Sequence, residues 1–170
     1  RLKREHPEPI KELHRRAFDW FADNGFQEEA ISHAIAAGEA DQAAGQIEAV
    51  SRNLVKRGGS ATLQGWLAKL PRESIMARPA LVVAQCWALI TDGRLDEVEC
   101  LLDEMDSPEL PFALVGEIAA IRAILATVRQ DLPAIHRYTE EALRLIPFED
   151  SSIRCGVLLS QGTAAALSGQ

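Results

Sequence analysis

Turn residues recur along this chain at nearly constant intervals. Gly25, Gly59 and Gly93 stand 34 residues apart, the Gln130-Asp131 pair begins 37 after Gly93, and Gly169 comes 39 after Gln130. A period in the thirties is long enough for two short helices with their connections, and it marks stacked helix–turn–helix units. Each such unit carries an apolar flank that it cannot hide alone, so the chain must fold by setting hairpins side by side. Glycine suits the turns because the chain leaves one helix through positive φ before it enters the antiparallel neighbour.

The segments between these marks carry helical periodicity. Leu13, Ala17, Trp20 and Phe21 line one face of a helix from about Pro9 to Asn24. Ala30, Ile31, Ala34 and Ile35 do so for a second, ending at Gly38, and Ala43, Ile47, Val50 and Leu54 for a third, from about Glu39 to Arg57. Further helices are expected over Ser60–Leu70, Pro79–Thr91, Leu95–Met105, Pro111–Arg129, Pro133–Ile146 and about Ser151–Leu167. Prolines 79, 111 and 133 stand near helix starts, where a missing N–H costs nothing. Pro71 and Pro147 stand just past helix ends. Within "GWLAKLPRESIMARPALVVAQCWAL", Pro71 cannot continue the helix carrying Trp66, Leu67 and Leu70, and Pro79 pushes Arg78 out of the α region. "RESIMAR" is therefore a short bridging turn pinned by Ile75 and Met76. No strand pattern competes. The expectation is an all-α fold: a superhelix of antiparallel helix pairs, with about nine or ten helices in a single domain over residues 1–170.

Composition agrees. Ala and Leu are abundant while aromatics make up only 5%, and Ala and Leu lose little on entering a helix. The net charge of −7 repels phosphate backbones, so direct nucleic-acid binding is not expected. Cys86, Cys100 and Cys155 are widely spaced in apolar helical contexts and read as buried free thiols of a reducing cytoplasm. No run reaches the ~18 apolar residues of a membrane span. The chain opens on Arg1 and closes on a helix with the Gly169 signal, which reads as a piece excised from a longer protein.

Signatures of catalysis are missing. There is no GxxxxGK[ST], since "RGGSATLQG" lacks the Lys-Ser/Thr pair, and neither GxSxG nor HExxH occurs. His6, His14, His33 and His136 are far apart and lack metal-ligand spacing with the cysteines. Glu28-Glu29 and Glu140-Glu141 read as solvated helix faces, as do "KELHRR" and "RYTEEALR", in which Glu12 can pair with Arg15 or Arg16. His33 reads as a packed histidine bonded to a nearby carbonyl, or else as an inducer contact or pH switch. No enzyme, cofactor or metal is expected.

"AIHRYTEEALRLIP", with Ile135, Tyr138, Ala142 and Pro147 in place, resembles the second helix of a tetratricopeptide repeat. Ala123 and Ala126 in the helix before it fit the small-residue contacts of such pairs, while Gln130 replaces the usual turn glycine and Thr139 a bulky residue. Upstream, "AFDWFADNGFQEEAISHAIAAGEADQAAGQIE" and "LQGWLAKLPRESIMARPALVVAQCWALITDGRLDEVECLLDEM" resemble the helical-repeat arm of MalT-like, LuxR-family bacterial transcription regulators. The carrying residues are Trp20, Glu29 to Ala34, Trp66 to Pro71, and Cys86 to Ala88.

The resemblance implies an arm between an ATP-binding module and a DNA-binding head. That arm would receive a small-molecule inducer or regulatory protein, contact the parent's other domains and govern self-association. In tetratricopeptide-like stacking the first helix of each pair lines a groove. Counting back from each turn gives Arg15, Asp19, Asn53, Lys56, Trp87, Thr91 and Glu117 as effector or partner contacts. Trp87 is either a stacking platform there or packing between helices, and Trp20 and Trp66 read as core. The rival reading is a constitutive interaction scaffold that senses nothing.

Overall fold

A computed structural model describes residues 7–105 and 110–168. His6 and the Gly169 turn signal lie outside them. Among the described residues there are ten helices and no strand: α1 (Pro7–Asp23), α2 (Gln27–Ala37), α3 (Ala40–Lys56), α4 (Ser60–Leu67), α5 (Arg72–Met76), α6 (Pro79–Thr91), α7 (Leu95–Glu104), α8 (Phe112–Arg129), α9 (Leu132–Leu145) and α10 (Ser151–Ser168). The all-α expectation holds. Left-handed residues Gly25, Gly38, Gly58, Gly93 and Gln130 close the turns after α1, α2, α3, α6 and α8, and the chain clusters into two compact units, Arg1–Asp92 and Gly93–Gln170.

In the first unit α1 packs on α2, α2 on α3, and α3 on α4 and α6. The α3 face predicted from the sequence is buried as expected at Ala43, Ile47, Val50 and Leu54. The α1 face is rotated from expectation. Phe18 is its buried centre, whereas Leu13 and Trp20 are 62% and 56% exposed. The reason is that α1 packs chiefly on α2, and the arc through His14, Phe18, Phe21 and Ala22 meets it. Trp20 is not core. It stacks instead on Phe26, with ring centroids 6.0 Å apart. Trp66 is buried.

The bridge before α6 is tighter than a turn. After α4, Lys69 and Leu70 donate to carbonyls three residues back, because Pro71 denies Leu70 the α region. Arg72–Met76 then closes into the short helix α5 with Ile75 buried and Met76 half-buried. Arg78 fastens the junction to α3. Its guanidinium donates to Glu48 at 2.9 Å and to the Asp41 carbonyl at 3.3 Å, lying over Gly45, where a Cβ would come within 3.7 Å of it. α6 is buried almost all round, from Leu81 to Leu89, which suits its unbroken apolar sequence.

One turn mark moves. Gly59 has φ −83° and precedes α4, while the left-handed residue is Gly58 at φ +81°. Gly59 is needed for closeness instead, since a Cβ there would run into the Leu54 side chain and stand 3.0 Å from its carbonyl oxygen.

In the second unit α8 and α9 form a hairpin on which α10 packs. Ile135 and Ala126 bury together with Ala164 of α10. Gln130 occupies the left-handed turn at φ +57°, and Asp131 caps α9 by accepting from the Ala134 N–H at 3.1 Å. Arg154 of α10 donates to the Leu143 and Ile146 carbonyls at 2.9 Å each, satisfying the end of α9. The thiols divide: Cys86 is buried as expected, but Cys100 and Cys155 are exposed. Cys100 lies on the exposed acidic arc of α7, and Cys155 on an exposed arc of α10 that also carries Leu158 and Leu159. Among the described residues no helix is long and apolar enough to cross a membrane.

Candidate functional site

Six of the seven residues expected to line a groove lie in the first unit. Arg15 and Asp19 are exposed on α1, Asn53 and Lys56 are exposed near the end of α3, Trp87 is half-buried on α6, and Thr91 is exposed one turn later. Glu117 lies in the second unit, within α8, and is only 5% exposed. Arg15 is occupied, donating to Glu39 at 2.5 Å and to Glu12 at 2.8 Å. These bonds, Glu39's foremost, raise its guanidinium pKa further. The Thr91 hydroxyl donates to the Trp87 carbonyl at 3.0 Å, a local helix bond that leaves no hydroxyl proton aimed at a ligand beside the indole.

His14 and His33, remote in sequence, meet. Their Nδ1 atoms are 2.8 Å apart, so one ring donates to the other, and His33 also stacks on Phe21. The partner of His33 is another imidazole and not a backbone carbonyl. Among the described residues no group of three or more His, Cys, Asp or Glu gathers to hold a metal.

Among the described residues, a cleft of about 350 Å³ opens in the second unit between α7, α8 and α9. α7 supplies Glu99 and Asp103, one turn apart. α8 supplies Arg122 and Arg129, two turns apart on one face, and α9 supplies Arg137 and Tyr138. Leu102, Leu125, Ala126 and Ala134 make the apolar floor. Arg129 grips Glu99 with both Nη1 and Nη2 in a two-pronged pair. Its guanidinium pKa is raised by that bond first, then by the Glu99, Asp96 and Asp103 charges. Arg137 sits with its Cζ 4.3 Å from the Tyr138 ring centroid and donates to the phenol oxygen at 2.5 Å, while Arg122 stands 5.8 Å from the same centroid.

Sequence reasoning did not single out this cleft. Arg137 fell within a stretch read as a solvated face. The i, i+7 spacing of Arg122 and Arg129 and the i, i+4 spacing of Glu99 and Asp103 were the available signals.

The cleft holds charges of both signs on three helices. The chain is 32% identical over 151 residues to the serine/threonine-protein kinase PknK of Mycobacterium tuberculosis, a match over 84% of this chain and 14% of that protein. It is also 32% identical over 141 residues to the HTH-type transcriptional regulator MalT of Cronobacter sakazakii, over 81% of this chain and 16% of that protein. MalT of Klebsiella pneumoniae matches the same share of this chain at 30% identity. This chain is similar to one segment of MalT-type regulators and of PknK. It spans about one sixth of the length of these curated relatives. No family model matches it, and no solved structure does.

Proposed function

We propose that this chain is the sensing and assembly arm of an ATP-dependent, LuxR-family transcription regulator of the MalT type, and that the arm itself is non-catalytic. The observation that supports the reading is the 32% identity to MalT over most of this chain. In this reading a cytoplasmic inducer, small molecule or regulatory protein, binds one arrangement of the helix pairs more tightly than another. That differential affinity shifts the parent between resting and self-associating forms. The arm contacts the parent's other domains and leaves DNA binding to them. Trp87 of the first unit and the cleft of the second are the two places where an effector could be held.

The likeness to PknK favours a second reading, because a segment found in a protein named as a kinase is not tied to one output. There the arm is a constitutive tetratricopeptide-type scaffold for protein partners. The two are separated by a promoter-reporter assay on the full-length parent. A sensing arm carrying Trp87→Ala or a cleft substitution keeps its DNA affinity but loses most of its response to inducer. A scaffold changes its set of co-purifying partners and shows no inducer response to lose. A parent frame without an upstream nucleotide-binding motif and a downstream helix-turn-helix would overturn the regulator reading.

A further inference from the structure

The charges around the α7–α8–α9 cleft fall into two groups. Arg129 and Glu99 are committed to each other, and Asp131 is committed to the α9 N-terminus. Arg122 and Arg137 face one aromatic ring, and neither has a carboxylate at ion-pair distance among the described residues. Asp103, on the opposite helix, likewise has no ion-pair partner there. Two guanidiniums on one tyrosine repel each other, and the ring face offsets only part of that. Arg122 and Arg137 on one side and Asp103 on the other are thus charged side chains of the cleft that form no ion pair within it.

We infer that the cleft binds a small organic carboxylate that also carries a proton-donating group, an α-amino or α-hydroxy acid. Its carboxylate lies between Arg122 and Arg137 against the Tyr138 ring. The planar guanidinium fork matches a carboxylate in a way that a point charge does not. Its ammonium or hydroxyl donates to Asp103, and a short apolar stem rests on Leu102 and Leu125. A volume of about 350 Å³ is at the small end of ligand clefts, which selects a metabolite and excludes a peptide helix. The inference deepens the sensing reading and rests on it for its biological consequence.

The test is calorimetric titration of the full 170-residue chain with L-glutamate, L-malate, succinate and inorganic phosphate. Glutamate or malate is expected to bind more tightly than succinate, which lacks the donor, and than phosphate. Arg122→Gln and Arg137→Gln should each weaken that binding roughly tenfold or more, the worth of a charge-assisted contact. Asp103→Asn should abolish the preference over succinate. All three positions are exposed, so thermal melts should be unchanged. The inference is overturned if none of the four compounds binds, or if binding survives both arginine substitutions. It is overturned in favour of a phosphate site if phosphate binds as tightly as the carboxylates and is lost with the arginines. Binding with no reporter response to the same compound keeps the cleft and removes the sensing reading. A reporter response to an uncharged inducer, with no binding here, does the reverse.

Discussion

His14 and His33 share a hydrogen bond between their Nδ1 atoms, 2.8 Å apart, that ties α1 to α2. The contact is half-buried, and the His33 ring is also stacked against Phe21 at 5.2 Å. Because one imidazole must donate and the other accept, neither ring can be exchanged independently. A double-mutant cycle with His14→Ala and His33→Ala should give a coupling of about 1 kcal/mol by chemical denaturation, the net value of a part-buried hydrogen bond. Additive losses would show that the rings merely pack.

Cys86 should behave unlike the other two thiols. At neutral pH a thiol reagent is expected to modify Cys100 and Cys155 readily, since both are exposed, and to reach buried Cys86 only on unfolding. Mass spectrometry of the native and denatured chain reads this directly, and fast native labelling of Cys86 would refute it.

The same residue predicts an alkaline limb of stability. Burial pushes the Cys86 thiol from its ordinary 9.0 up to about 12. Between those values the unfolded chain has released a proton that the native chain still holds, so unfolding gains as pH rises. Stability should fall by about 1.4 kcal/mol per pH unit from this group across that window, and not below it. Cys86→Ala should flatten the limb relative to wild type.

Gln130 is strained by its place in the fold. It takes the left-handed conformation, φ +57°, that ends α8, and side chains other than Gly, Asn and Asp adopt it at a cost. Gln130→Gly should therefore stabilise the chain by about 0.5–1 kcal/mol, a rise in Tm of a few degrees. A loss of stability would mean that the amide makes contacts worth more than the backbone strain.

Much of the helix plan was legible because its signals are local. Pro71 and Pro79 act on their own neighbours, and the apolar spacing of α3 matched the arc that is buried. The turn at Gln130-Asp131 was readable without glycine because the spacing held and Asp is a capping residue. The rotation of α1 was not legible. Leu13, Phe18 and Trp20 all sit on one amphipathic helix, and which arc is covered depends on where α2 lies. The cleft was hidden for the same reason. Arg122, Arg129 and Arg137 look like ordinary solvated positions until α7 brings Glu99 and Asp103 opposite them.

The approach of α8 to α9 depends on Gly116. A Cβ there would stand 3.0 Å from Ile146 Cγ1, 3.0 Å from Leu145 Cβ and 3.2 Å from the Ile146 nitrogen. Alanine elsewhere in a helix interior would gain up to about 1 kcal/mol over glycine. Here two of the three neighbours are a Cβ and a backbone nitrogen, which cannot rotate away, so the hairpin itself must open by a few tenths of an ångström. Overpacking of this kind costs about 1–3 kcal/mol, and the net expectation for Gly116→Ala is a loss of about 1 kcal/mol. Gly65→Ala, mid-helix in α4 with nothing within 4 Å of its would-be Cβ, should show the opposite sign. Paired urea melts of the two variants decide the matter. If both stabilise, α8 and α9 are not in close contact at this point, and the geometry of the second unit would need revision there.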